Sequence, residues 1–164
     1  MFDYTMIIAK TISELRNKLK KQRDLTMVLG GDEQINRAAV EDKRVDILIS
    51  PERLAPKDYM HSRNSGLNQV LCRLANKNQV AIGFDFNFLY NSKERGRVIG
   101  RMMQNVILCR KFKVKMIEGC FVNGRSLDNK TLQSFGRFLG MTGDEAKKAV
   151  NFKKEKDFGV KFEK

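Results

Sequence analysis

Val45-Asp46-Ile47-Leu48-Ile49, closed by Ser50-Pro51, opens a stretch reaching Asn87 around which the chain is organised. A polar loop ending in Arg63-Asn64-Ser65-Gly66 follows. Leu67, Val70, Leu71 and Leu74 then fall at i, i+3, i+4 and i+7, the spacing of one amphipathic helix face. Asn76-Lys77-Asn78 stops that helix, and Val80-Ala81-Ile82-Gly83-Phe84 is a second apolar run. Strand, helix and strand in this order predict a βαβ unit with parallel strands. Both runs are apolar throughout rather than alternating, as strands covered on both faces require.

The flanking segments repeat the unit. Residues 4–9 read as a first strand, and Ser13 as the N-cap of a helix with Ile12, Leu15 and Leu19 inward. Lys18, Lys20, Lys21 and Arg23 give that helix a solvated basic end. Leu25-Thr26-Met27-Val28-Leu29 is a second strand, and Gly30-Gly31 turns the chain into a short helix capped by Asp32 and running through Ala39. Asp32 and Glu33 place negative charge where a phosphate would bind, which excludes a glycine-cradle reading.

Beyond Asn87, Ser92 is the expected cap of a long helix to about Lys111. Ile99, Met102, Met103, Val106 and Ile107 form its buried stripe, with Arg97, Arg101 and Gln104 on the opposing face. Gly96 and Gly100, four apart, leave room for another backbone. Val114-Lys115-Met116-Ile117 is the next strand. A helix from about Asp128 points Leu132, Phe135 and Leu139 inward, and Thr142 and Glu145 have capping-box spacing for a last helix to about Val150. Residues 1–150 are thus expected to form a single α/β domain. For the charged segment 151–164, with Phe152, Phe158 and Phe162, two readings stand: a final strand, or a tail ordered by a partner. Five strands with helices between them predict a parallel sheet, open or closed as a barrel. A full eight-unit barrel takes about 250 residues, well beyond the 164 present.

Charge is the strongest global signal: 32 Lys and Arg against 19 Asp and Glu give a formal +13. Such an excess favours polyanions, nucleic acid first. No apolar run approaches the roughly 18 residues of a membrane span, and the N-terminus shows no secretory signal. Three cysteines without CxxC spacing indicate a reducing, cytoplasmic setting and argue against a zinc knuckle.

Catalytic motifs are missing. The single histidine, His61, stands in the long loop without a second imidazole or thiol beside it, and there is no GxSxG, GxGxxG or P-loop signature. One constellation allows an enzyme alternative. Asp32, Asp85 and Glu118 each follow or end an expected strand, so they could gather at the carboxyl end of the sheet and hold magnesium for a small barrel phosphoesterase. Equally, they could be caps or arginine partners. For nucleic acid the candidates are richer. Arg53, Arg63, Arg95, Arg97, Arg101, Lys111 and Arg125 lie in loops or on polar helix faces, and the amides Asn64 and Asn123 can reach ribose or bases. No RRM, KH or zinc-finger signature occurs, so recognition by shape and backbone is expected.

Residues 58–72 (Asp58-Tyr59-Met60-His61-Ser62-Arg63-Asn64-Ser65-Gly66-Leu67-Asn68-Gln69-Val70-Leu71-Cys72) and 78–84 (Asn78-Gln79-Val80-Ala81-Ile82-Gly83-Phe84) closely resemble the protein component 3 family of archaeal and eukaryotic ribonuclease P. Arg97–Lys115 resembles the family's long basic helix. Arg125–Val150 is similar to its arginine-bearing turn and following helices. The resemblance implies a TIM-barrel-like fold related to metal-dependent phosphoesterases. It also implies a non-catalytic subunit role beside an RNA that cleaves the 5′ leader from precursor tRNA with its own magnesium ions. The implied partners are ribonuclease P RNA, precursor tRNA through the holoenzyme, protein component 2 and other protein subunits. Family members commonly carry a further βα unit before the strand matching residues 4–9. A shortened N-terminus is therefore expected, with its open edge covered by terminal segments or a partner.

Overall fold

The computed structural model describes residues 4–22, 25–122 and 124–151. Arg23, Asn123, Phe152, Phe158 and Phe162, and with them the choice between last strand and tail, lie outside the described residues. The elements run β1 (Tyr4–Ile7), α1 (Ile12–Leu19), β2 (Leu25–Leu29), α2 (Glu33–Glu41), β3 (Ile47–Ile49), α3 (Gln69–Asn78), β4 (Ala81–Asp85), α4 (Phe86–Asn91), α5 (Arg95–Lys111), β5 (Met116–Gly119), α6 (Asn129–Phe138) and α7 (Gly143–Val150).

All five strands are parallel and lie in sequence order. Successive crossovers of one hand place the connecting helices on one side of such a sheet, which is the arrangement of a β/α barrel wall. Alternate residues of each strand serve the two faces. Ile7, Val28, Leu48, Ile82 and Phe84 pack with the helices, against Leu15, Leu71, Met102 and Leu139 among others. Met27, Leu29, Ile47, Ile49, Ala81 and Ile117 form a separate apolar layer on the opposite face. Both faces are covered, as the continuous apolar runs require. Within the described strands β1 and β5 have one neighbour each, so the sheet is open at both edges. No helix of the described residues is long and apolar enough to cross a membrane.

Local chemistry sets most helix starts. Asp32 accepts from Ile35 N, Asn68 from Leu71 N, Asp128 from Lys130 N and Thr131 N, and Thr142 forms the reciprocal box with Glu145. Several expectations shift. The N-cap of α1 is Thr11, whose hydroxyl accepts from Glu14 N, not Ser13. Ser92 does not cap α5; its Oγ accepts from Glu94 N, and Glu94 at the N-cap makes no side-chain bond to the helix backbone. Residues 86–91, unassigned from sequence, form α4, capped by Asp85.

The buried faces of α3 and α5 are also rotated from those expected. Val70 is exposed, and α3 buries Leu71, Cys72, Ala75 and Asn78. This helix continues through Asn78 and ends at Gln79, which is left-handed. In α5, Ile107 is exposed, whereas Arg101 and Asn105 are buried. The approach at Gly100 is by the Arg63 guanidinium rather than a backbone, and nothing comes within 4 Å of a Cβ at Gly96.

Candidate nucleic-acid interface

The long connection between β3 and α3 is irregular but firmly held. Its two ends are joined by Asn36 of α2, whose Nδ2 donates to Pro51 O at 2.9 Å and Gly66 O at 3.3 Å while Oδ1 accepts from Gly31 N. Gly66 has φ +74°, and a Cβ there would stand 1.9 Å from Pro51 O, so only glycine closes this neck. Further along, Asn105 of α5 donates to Glu52 Oε2 at 3.1 Å and Ser65 O at 3.0 Å. Arg101 donates to Asp58 Oδ1, Ala55 O and Pro56 O. Burial pushes the Glu52 carboxyl up to about 8, with the Asn105 amide opposing. Asp58 titrates below its ordinary value: desolvation works against this, but the Asn64 N–H and the Arg101 guanidinium outweigh it.

These bonds correct the sequence expectation for Arg101. It is only 6 % exposed and each of its three guanidinium nitrogens donates inside the protein, so it braces the loop instead of facing solvent. Arg53 is half-buried with Nε on Gly30 O, and Asn64 is tied through its backbone N–H to Asp58. Arg63 is exposed, beside Asp58 at 3.6 Å. The braced loop presents Leu54, Tyr59 and Met60 to solvent, with Lys57 and His61 around them.

A second cluster forms at the carboxyl ends of β4 and β5. Asp85, fully buried, accepts from Asn87 N, Phe121 N and Val122 N. Burial raises its carboxyl, with those N–H groups opposing. Asn87 donates to Val122 O and Arg125 O and accepts from Arg125 N. Together they fasten the loop after β5 onto α4. Arg125 consequently lies over the Tyr90 ring, its Cζ 4.4 Å from the centroid, and its Nη2 donates to the Tyr90 hydroxyl at 2.8 Å. Arg95 sits 5.3 Å from the same centroid and donates twice to Tyr90 O. Elsewhere, Arg97 is paired with Glu94 at 2.7 Å. Lys111 and Arg73 flank the Phe112 ring at 5.7 and 5.5 Å. Sequence reasoning passed over Tyr90 and Arg73. The usable signal was an aromatic residue beside a surplus of cations.

The three strand-end acids do not converge. Asp32 is a helix cap, Asp85 is the loop fastener, and Glu118 points to the helix side of β5 against Gly136 of α6. Both Glu118 oxygens lack a hydrogen-bond partner, and burial pushes that carboxyl up to about 8, with the nearby Gly136 N–H pulling the other way. No group of three or more His, Cys, Asp or Glu positioned to hold a metal ion occurs among the described residues. A phosphoesterase centre built from these three acids is therefore not favoured.

Residues 6–156 match the family model described as RNase P subunit p30. The ribonuclease P protein component 3 of Methanosarcina acetivorans is 33% identical over 152 residues, which cover 88% of this chain and 59% of the relative. That of Methanocaldococcus jannaschii is 40% identical over 121 residues, 70% of this chain and 49% of the relative. The chain thus spans about half the length of the curated relatives it matches. Among solved structures, a chain in the cryo-EM structure of archaeal ribonuclease P with mature tRNA superposes with a TM-score of 0.73 at 30% identity, covering 89% of this chain and 63% of that one. A parallel sheet in sequence order, the basic surface and these matches agree, and the chain belongs to the RNase P subunit p30 family.

Proposed function

We propose that the chain is a non-catalytic protein subunit of ribonuclease P, binding the catalytic RNA and supporting removal of the 5′ leader from precursor tRNA. The observation that carries this reading is the fold match at TM-score 0.73 to a chain of the archaeal ribonuclease P–tRNA assembly. The formal charge of +13 supports it, because a structured RNA is the polyanion such a surface suits. In this reading the exposed cations Arg63, Arg95, Arg97, Lys111 and Arg125 meet RNA or neighbouring subunits. Arg53, Asn64 and Arg101 hold the loop that carries Arg63. Magnesium belongs to the RNA, the protein needs no cofactor, and protein component 2 is the expected pairing subunit. Cys72, Cys109 and Cys120 as free thiols suit a reducing cytoplasm.

Competition binding tests the proposal. The full chain should retain labelled ribonuclease P RNA against an excess of unrelated structured RNA of equal length. Equal displacement by both RNAs would reduce the protein to a general basic chaperone and overturn the reading.

A further inference from the structure

We infer that Arg95 and Arg125, both set by Tyr90, form a built site for the sugar–phosphate backbone of an RNA strand. This rests on the proposed function and names one place where it is carried out. The three residues come from separate segments: the end of α4, the first turn of α5 and the loop before α6. Asp85 and Asn87 fasten the Arg125 loop onto α4 with part-buried hydrogen bonds, and Arg95 is tied to Tyr90 O, so the cluster is a product of the fold and not a chance surface encounter. Each guanidinium is oriented from within the protein. Arg95 spends Nε and Nη2 on Tyr90 O, and Arg125 spends Nη2 on the Tyr90 hydroxyl. Nη1 of Arg95, with Nε and Nη1 of Arg125, has no acceptor among the described residues.

Arg37, Arg44, Arg63, Arg97, Arg101 and Arg110 stand in ion pairs among the described residues, whereas Arg95 and Arg125, like Arg16, Arg53, Arg73 and Arg137, do not. What sets Arg95 and Arg125 apart from those four is that they share one ring, that of Tyr90. Two exposed, uncompensated and pre-oriented forks on one ring suit phosphate oxygens, since little side-chain freedom remains to be lost on binding. The Tyr90 ring has Phe86 stacked at 6.1 Å as well as both guanidiniums over it. It is therefore occupied internally and is not a platform for a base. The contact is to backbone, and it is indifferent to sequence.

The test compares the full-length wild-type chain with Arg95→Gln/Arg125→Gln, measuring affinity for ribonuclease P RNA across a salt series. Arg37→Gln, which removes an exposed arginine already paired with Glu41 at 2.8 Å, controls for general charge loss. The double variant should bind at least about tenfold more weakly at 0.15 M salt. Its log–log salt slope should be shallower by roughly 0.7–0.9 per lost phosphate contact. Arg37→Gln should differ from wild type by less than about threefold. Tyr90→Leu, which keeps both charges but frees them, should weaken binding while preserving most of the slope. An unchanged slope in the double variant, with wild type still selecting its RNA, overturns this site and leaves the proposed function standing. Retained RNA affinity with lost pairing to the component 2 subunit makes it a protein contact and also overturns it. Absence of RNA selection by wild type sinks the proposed function itself.

Discussion

Replacing Glu52 by Gln should remove a large part of the pH dependence of stability. Glu52 is 1 % exposed, its Oε2 accepts from Asn105 Nδ2, and Oε1 has no partner. Asn105 Oδ1, on the same amide, also lacks one. Burial raises the carboxyl from an ordinary 4.5 to about 8, so at neutral pH the folded protein holds a proton that the unfolded chain has released. Stability therefore falls as pH rises from about 4.5 to about 8 and is level above that. At 1.36 kcal/mol per pH unit, the interval sets an upper bound of about 5 kcal/mol for this one group. Glutamine imitates the protonated acid, and its amide brings a donor towards Asn105 Oδ1. Urea unfolding followed by circular dichroism from pH 5 to 9 checks this. The two proteins should be similar near pH 5, with Glu52→Gln gaining up to about 4 kcal/mol by pH 8.5. Parallel stability curves would refute a buried, neutral Glu52.

Arg101→Gln strips Asp58 of its buried guanidinium partner, leaving it Asn64 N and Arg63, and takes the same guanidinium from two loop carbonyls; it should cost about 3 kcal/mol and speed amide exchange across residues 54–64 relative to α5. Charge reversal at Arg101 consequently reads out loop integrity and not RNA contact. Gly66→Ala forces a side chain onto Pro51 O at positive φ, and should lower the urea midpoint by an amount equivalent to roughly 2–4 kcal/mol with the m-value preserved. Glu145 is held at about 2 chiefly by Arg110, so its contribution is present above about 4.5 and lost as pH falls towards 2. Glu145→Gln should flatten the acid limb of the stability profile while leaving its alkaline side unchanged.

What could be read from residue types was chemistry confined to a few neighbours. Asp32 and the Thr142–Glu145 box each satisfy donors within three residues, so their signals are complete in the sequence. The apolar runs of β3 and β4 likewise announce burial on both faces. Arg101 was misread because its acceptors lie 43 to 46 residues away in sequence. A helical wheel knows nothing of a loop that folds back over it. Val70 and Ile107, apolar but exposed, pulled the expected stripes of α3 and α5 towards the wrong face. Residues 86–91 carry three aromatics and continue directly from β4, so nothing local announced that α4 starts at Phe86 under an Asp85 cap. The Tyr90 cluster depends on Asn87 reaching across 38 residues to Arg125, a contact that spacing alone does not encode.

Single-turnover cleavage of precursor tRNA by the cognate RNA, with and without the full chain and its component 2 partner, puts the division of labour between protein and RNA to trial. The rate at limiting magnesium should rise only when RNA and both proteins are present, and no cleavage should come from the proteins alone. Cleavage by RNA-free protein that disappeared in the Asp32→Ala/Asp85→Ala/Glu118→Ala variant, or an unaltered RNA rate when the chain is added, would contradict it.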